Sequence, residues 1–177
     1  ECTPSYLYMP QCAQRIHDYN PHIKLIVLLR NPIERAYSHW NMQLQRHLEQ
    51  HSFSYCIQNE AERLPERSDF QKKKIAYLDR GYYASQIERY LKIFSTEQML
   101  FIKYESFKEN QDLTLKTICN FLGAPPNPLD QVFTEAHKRA YSKPISPSDR
   151  AFLKTVFRED IRKLEAMLNW DCSDWLA

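Results

Sequence analysis

Hydrophobic positions along the chain fall into two kinds of run. Lys24 to Leu29 has an interior made wholly of Leu, Ile and Val, and Met99 to Lys103 repeats the pattern. Unbroken apolar runs of this length suit strands buried on both faces of a parallel sheet. Other runs carry helical spacing. In residues 9–19, Pro10 stands at a plausible first helical position, with Ala13, Ile16 and Tyr19 on one face. After Gly81, the residues Tyr83, Ile87, Tyr90, Leu91 and Phe94 form one stripe. Residues 111–122 form an amphipathic helix closed by Gly123 and the breaker run APPNP. Residues 148–168 carry Phe152, Leu153, Val156, Phe157, Ile161, Leu164 and Leu168 at helical spacing. Residues 1–8 alternate loosely around Pro4 and predict an extended segment, whereas residues 53–75 are polar, contain Pro65 and end in Lys72 to Lys74.

The first strand ends at an abrupt corner. Asn31, Pro32 and Glu34 sit where a helix start places its N-cap, its first-turn proline and its capping-box acid, and this helix is expected to run to about residue 48. Strands alternating with helices predict an α/β fold with a central parallel sheet. Two parallel strands do not hold a domain of this size, so further strands are expected before Glu1.

Composition then narrows the function. A length of 177 residues suits one domain, spanning 1–177, and the start on Glu1 predicts a piece of a longer chain. The net charge of +2, from 24 basic and 22 acidic residues, argues against a general nucleic-acid surface. The triplet Lys72 to Lys74 lacks interleaved aromatics and reads as a solvated face. No apolar run is long enough to span a membrane, and the start lacks a signal-peptide layout. Five scattered cysteines without zinc spacing read as reduced thiols in a cytoplasmic setting. His47 and His51 could share a helix face but lack acidic or thiol partners, so no metal site is expected. With only Gly81 and Gly123 present, no glycine-rich phosphate cradle fits in the chain.

The corner itself carries chemistry. Ligands of open parallel sheets bind beyond the carboxyl ends of the strands, which is where Arg30 stands. The helix start after it offers free N–H groups and a positive dipole end. Ser38 returns to the same helix face about two turns after Asn31. A guanidinium fork and a hydroxyl suit a phosphate monoester gripped from two sides. The alternative is that Arg30 pairs with a carboxylate such as Glu34 or Glu105.

The stretch LIVLLRNPIERAYSHW resembles the 3′-phosphate-binding element of sulfotransferases that use 3′-phosphoadenosine 5′-phosphosulfate (PAPS), in particular the heparan-sulfate type and its bacterial relatives. ECTPSYLY, GYYASQIERYLKIFSTEQMLFIKYESF, LKTICNFLG and the closing stretch from SPSDRAF to the final tryptophan are similar to further segments of that family, in the same order. The resemblance implies a P-loop-NTPase-like three-layer fold, helix-rich here because the N-terminal strands and the phosphosulfate loop would lie upstream. It implies PAPS as cofactor, with adenosine 3′,5′-bisphosphate as product, no metal, and a hydroxyl or amine acceptor on a carbohydrate or small molecule. Arg30 and Ser38 would hold the 3′-phosphate, Lys138 and Arg139 would belong to a basic phosphate loop, and Phe133 would lie near the adenine. Cys2 stands where heparan-type enzymes often carry lysine, which favours a different acceptor, and Cys2 and Tyr83 are substrate-side candidates. The catalytic base is expected upstream of Glu1. A fragment or degenerate homologue that binds only the bisphosphate is the alternative.

Overall fold

The computed structural model describes residues 3–64, 68–125, 141 and 143–177, apart from the side chain of Phe70. In chain order the elements are α1 (Cys12–Tyr19), β1 (Leu25–Leu29), α2 (Pro32–Gln45), α3 (Phe53–Gln58), α4 (Glu60–Arg63), α5 (Asp69–Ile75), α6 (Tyr83–Leu91), β2 (Met99–Lys103), α7 (Tyr104–Glu109), α8 (Gln111–Leu122), α9 (Pro147–Leu168) and α10 (Ser173–Leu176). The strands pair in parallel, in a register running from Leu25 opposite Met99 to Leu29 opposite Lys103. Parallel pairing requires a long crossover, and here α2 to α6 supply it. Leu29 is buried, yet Ile26 is 41% and Leu28 50% exposed. The burial expected on both faces of β1 is therefore met on one face among the described residues.

The main core lies where α2, α6, α9 and α10 meet, and it joins Ile33, Ala36, Trp40, Tyr83, Ile87, Leu153, Phe157, Ile161, Leu164 and Trp175. A smaller cluster of Ala13, Tyr90, Phe94 and Met99 ties α1 to the outer side of α6 and to β2. The turn Asp79–Gly81 presses closely on this core. A Cβ at Gly81 would lie 2.6 Å from Cε1 of Phe157 and 3.3 Å from Cβ of Pro32, so only glycine lets the backbone approach α9 and the start of α2 together.

Several elements depart from the sequence expectations. Residues 3–9 form turns closed by Tyr6 N–H to Thr3 and Met9 N–H to Ser5, not an extended segment. The first helix begins at Cys12, and Tyr19 is 88% exposed rather than on its packed face. The helix α2 stops at Gln45 because His47 takes φ 57°. Leu48 N–H then reaches Gln43 and His47 N–H reaches Leu44, a Schellman closure that satisfies the last carbonyls without a glycine. The described part of residues 53–75, a stretch the sequence marks only as polar, contains three short helices.

Candidate functional site

The site begins at the corner between β1 and α2. Asn31 caps the helix by accepting the N–H of Ile33 at 2.9 Å, and Pro32 fills the first turn. The expected reciprocal bond from Glu34 does not form. Asn31 N–H instead donates to Oε1 of Glu105, 74 residues away, at 3.1 Å. The first turn therefore offers fewer open donors than the sequence suggests, since Asn31 N–H and Ile33 N–H are both taken and Pro32 has none. The positive dipole end of α2 remains.

Neither carboxylate that could have neutralised Arg30 does so. Glu34 pairs with Arg150 of α9 at 2.6 Å. Glu105 is occupied by Asn31 N–H and by Nε1 of Trp175, at 3.3 Å. Among the described residues Arg30 makes no ion pair. Its guanidinium carbon lies 5.4 Å from the centre of the Tyr104 ring. Stacking of this kind steadies the planar group while leaving its N–H edges open to an anion. Ser38, half-buried on α2, has a hydroxyl that bonds to no described residue. Both halves of the expected clamp are thus uncommitted among the described residues.

Tyr83 is 5% exposed, and its hydroxyl donates to the carbonyl of Arg30 at 3.0 Å. Burial raises its phenol above the ordinary value, partly opposed by Arg35 and Arg80, so the group keeps its proton and stays a donor. The structure thus places this substrate-side candidate against the backbone of the corner.

Sequence reasoning missed a second basic group. Arg35 donates to the carbonyl of Tyr77, and burial lowers its pKa, with Tyr83 and Glu60 opposing and Arg30 adding repulsion. Burial and the charge of Arg35 push Arg80 down to about 10, which still leaves it cationic at neutral pH. Arg80 is tethered by Nη1 to the carbonyl of Lys73, at 2.9 Å. Arg46, Lys73, Lys74 and Arg80, with Ser5, His39 and Gln43, line a crevice of about 260 Å³. Burial, with repulsion from Arg35 and Arg80, holds His39 neutral by pushing its pKa down to about 2, and its Nδ1 has no partner among the described residues. Two of the three lysines, Lys73 and Lys74, therefore line a basic crevice, where the sequence suggested a solvated face. Nothing in the local pattern of residues 53–75 announced this. The only cue was that the triplet precedes Arg80 by a few residues.

Buried acids organise the segment that leads into Arg80. Glu60 accepts the N–H groups of Tyr77, Leu78 and Asp79 at 2.6 to 2.9 Å, and this fixes the turn that carries Arg80. Glu49 accepts Arg63 at 2.7 Å and the Tyr77 hydroxyl at 3.0 Å. Burial alone would raise the pKa of Glu49, but bonds from Arg63, His51 N–H and Tyr77 outweigh it and bring it down to about 2.

Cys2, Phe133, Lys138 and Arg139 lie outside the described residues. His47 and His51 are exposed and lie beyond the end of α2, so they share no helix face. Among the described residues no group of three or more His, Cys, Asp or Glu is placed to hold a metal ion, and no helix is long and apolar enough to cross a membrane.

Comparison with known proteins bears on this geometry. Residues 14–160 match the family described as Sulfotransferase domain. The chain is 30% identical over 138 residues to mouse heparan sulfate glucosamine 3-O-sulfotransferase 3B1, a match covering 77% of this chain and 33% of the relative. It is 28% identical over 135 residues to the bifunctional heparan sulfate N-deacetylase/N-sulfotransferase 1 of Caenorhabditis briggsae, covering 73% of this chain and 16% of that protein. The chain thus spans a third or less of these curated relatives. A crystal structure of a sulfotransferase from Alicyclobacillus acidocaldarius superposes with a TM-score of 0.84 at 31% identity, over 98% of this chain and 65% of that one. The P-loop-like α/β fold expected from the sequence is the fold of that neighbour.

Proposed function

The chain belongs to the sulfotransferase domain family, and from that premise we propose that it binds PAPS and serves transfer of a sulfuryl group to a hydroxyl or amine of a carbohydrate or small-molecule acceptor. Arg30 and Ser38 hold the 3′-phosphate. The observation that carries this reading is that the guanidinium of Arg30 makes no ion pair among the described residues. It stands at the carboxyl end of β1 and stacks on Tyr104, while Glu34 and Glu105 are engaged elsewhere. A half-buried arginine that pairs with no carboxylate among the described residues is free to receive an anion. Ser38 supplies a second donor from the same helix that the corner starts.

When bound, PAPS supplies a sulfuryl group that can pass in line to an acceptor oxygen or nitrogen. Arg30 and Ser38 make no bond in that chemistry. They anchor the far end of the nucleotide, and binding energy from a remote group can be used to orient the reacting one. Arg35 and Arg80 add a positive field around the corner and its crevice, which draws polyanionic ligands toward the site.

The basic crevice supports an acceptor that itself bears negative charge, such as an acidic carbohydrate. The cations around it are interleaved with polar groups that can meet sugar hydroxyls, namely Ser5, His39 and Gln43. Titration with adenosine 3′,5′-bisphosphate, comparing the native protein with Arg30→Ala, tests the cofactor assignment. Undiminished binding in the variant would remove it.

A further inference from the structure

We propose that Tyr83 and Glu105 are positioning residues for the 3′-phosphate clamp, and that Trp175 holds Glu105 in place for this role. The inference rests on the reading of Arg30 as a 3′-phosphate ligand.

The peptide unit between Arg30 and Asn31 is gripped at both polar atoms by side chains distant in sequence. Its carbonyl accepts the Tyr83 hydroxyl at 3.0 Å, and its N–H donates to Oε1 of Glu105 at 3.1 Å. Tyr83 comes from the first turn of α6 and Glu105 from the first turn of α7. The two grips act from separate elements, so the peptide plane cannot rotate without breaking one of them. That plane sets two directions together. On one side it fixes the Cα of Arg30, from which the guanidinium leaves. On the other it fixes Asn31, whose side chain caps α2 and thereby sets the path of the helix that carries Ser38.

The grip is itself braced. The second oxygen of Glu105 accepts Nε1 of Trp175, and the Trp175 carbonyl accepts the Asn31 side-chain amide at 3.4 Å. Trp175 is 1% exposed, its ring meets Tyr83 edge-on at 6.4 Å between centroids, and Lys103 Nζ stands 5.4 Å over it. Lys103 also pairs with Asp174 at 2.5 Å and donates to the carbonyl of Asp171. The end of the chain is thereby locked onto the last residue of β2. A carboxylate with both oxygens committed cannot turn to neutralise Arg30, so the same bonds that orient the arginine also keep it available. Hydrogen bonds in a closed network of this kind are worth more together than apart.

The test uses the protein as it occurs, at its full length. Variants Tyr83→Phe, Glu105→Gln, Trp175→Phe and Arg30→Ala, and the double variant Tyr83→Phe/Arg30→Ala, are titrated with adenosine 3′,5′-bisphosphate and with adenosine 5′-phosphate. Tyr83→Phe, which removes one hydrogen bond, is expected to weaken the bisphosphate roughly tenfold, and Glu105→Gln, whose single amide oxygen cannot hold both Asn31 N–H and the Trp175 indole, is expected to weaken it less, each changing the monophosphate less than about twofold. The double variant is expected to bind no worse than Arg30→Ala alone, because the tyrosine acts through the arginine. Trp175→Phe removes the indole donor and leaves a small cavity in the core, and is expected to show a smaller loss with the same selectivity. Equal losses for both nucleotides, or additive losses in the double variant, would overturn the positioning role. If Arg30→Ala keeps the native preference for the bisphosphate, the underlying cofactor reading fails, and the inference goes with it.

Discussion

Glu34 and Arg150 form an ion pair at 2.6 Å that joins the first turn of α2 to the start of α9. In the sequence, Glu34 lies four residues from Arg30 and looks like its natural partner. The pair with Arg150 removes that possibility. Both side chains are about one-third exposed, so the bond adds little to stability. Its consequence is electrostatic: the carboxylate nearest in sequence to Arg30 is engaged across 116 residues of chain, and Arg30 is left open to an anion from outside.

The basic crevice makes a separable claim about the acceptor. Arg46 is exposed at the end of α2 and bonds through its backbone to Met42, so reversing its charge leaves the helix closure intact. Arg46→Glu is expected to raise the KM for an acidic oligosaccharide acceptor roughly three- to tenfold and to leave bisphosphate affinity unchanged. Steady-state kinetics with acidic and neutral acceptors checks this. An equal effect on both acceptors would mean that the crevice does not read charge.

Gly81 carries a packing prediction. Its Cα lies so close to Phe157, which is wholly buried, that alanine must displace the ring or the turn. Gly81→Ala is expected to destabilise the fold by about 1–3 kcal/mol, the usual cost of overpacking a core. Thermal unfolding measures it. Wild-type stability in the variant would show that the turn can retreat freely.

Acid should find a weak point at Glu49. Its folded pKa of about 2 lies below the ordinary 4.5, so the unfolded chain takes up the proton first as pH falls. The stabilisation is fully present above about pH 4.5 and is lost progressively toward pH 2. His39 acts in the same direction from higher pH. Its folded value of about 2 lies below the ordinary 6.5, so each step down from pH 6.5 favours the unfolded chain. Denaturant unfolding across pH 7 to 3 is expected to show falling stability, with a shallower fall in Glu49→Gln below pH 4.5. An unchanged slope in that variant would remove Glu49 from the explanation.

The corner was largely legible in the sequence because its signals are local. An apolar run, an N-cap asparagine and a first-turn proline each act within a few residues, and β1, α2 and the caps obey them closely. The capping-box reading of Glu34 failed for the opposite reason. The acid that serves Asn31 is Glu105, which sequence spacing cannot single out from any other carboxylate near the far strand. The same limit hid Glu49 and Glu60, which look like surface acids until folding encloses them among N–H groups and a guanidinium. Tyr83 was visible as part of an apolar stripe, yet its function at the corner depends on its hydroxyl, and periodicity says nothing about where a hydroxyl points. The basic crevice forms between α2 and the segment ahead of α6, so its charges are brought together only by the crossover.

Calorimetric titration of adenosine 3′,5′-bisphosphate against adenosine 5′-phosphate, in the native protein and in Arg30→Ala and Ser38→Ala, tests the phosphate clamp most directly. The native protein should prefer the bisphosphate. Ser38→Ala should lose about 1.5–3 kcal/mol of that preference, as expected for a hydrogen bond to a charged group, and Arg30→Ala should lose most of it, with both variants folded. Equal preference in all three proteins would contradict the assignment of the Arg30 corner as the site of the 3′-phosphate.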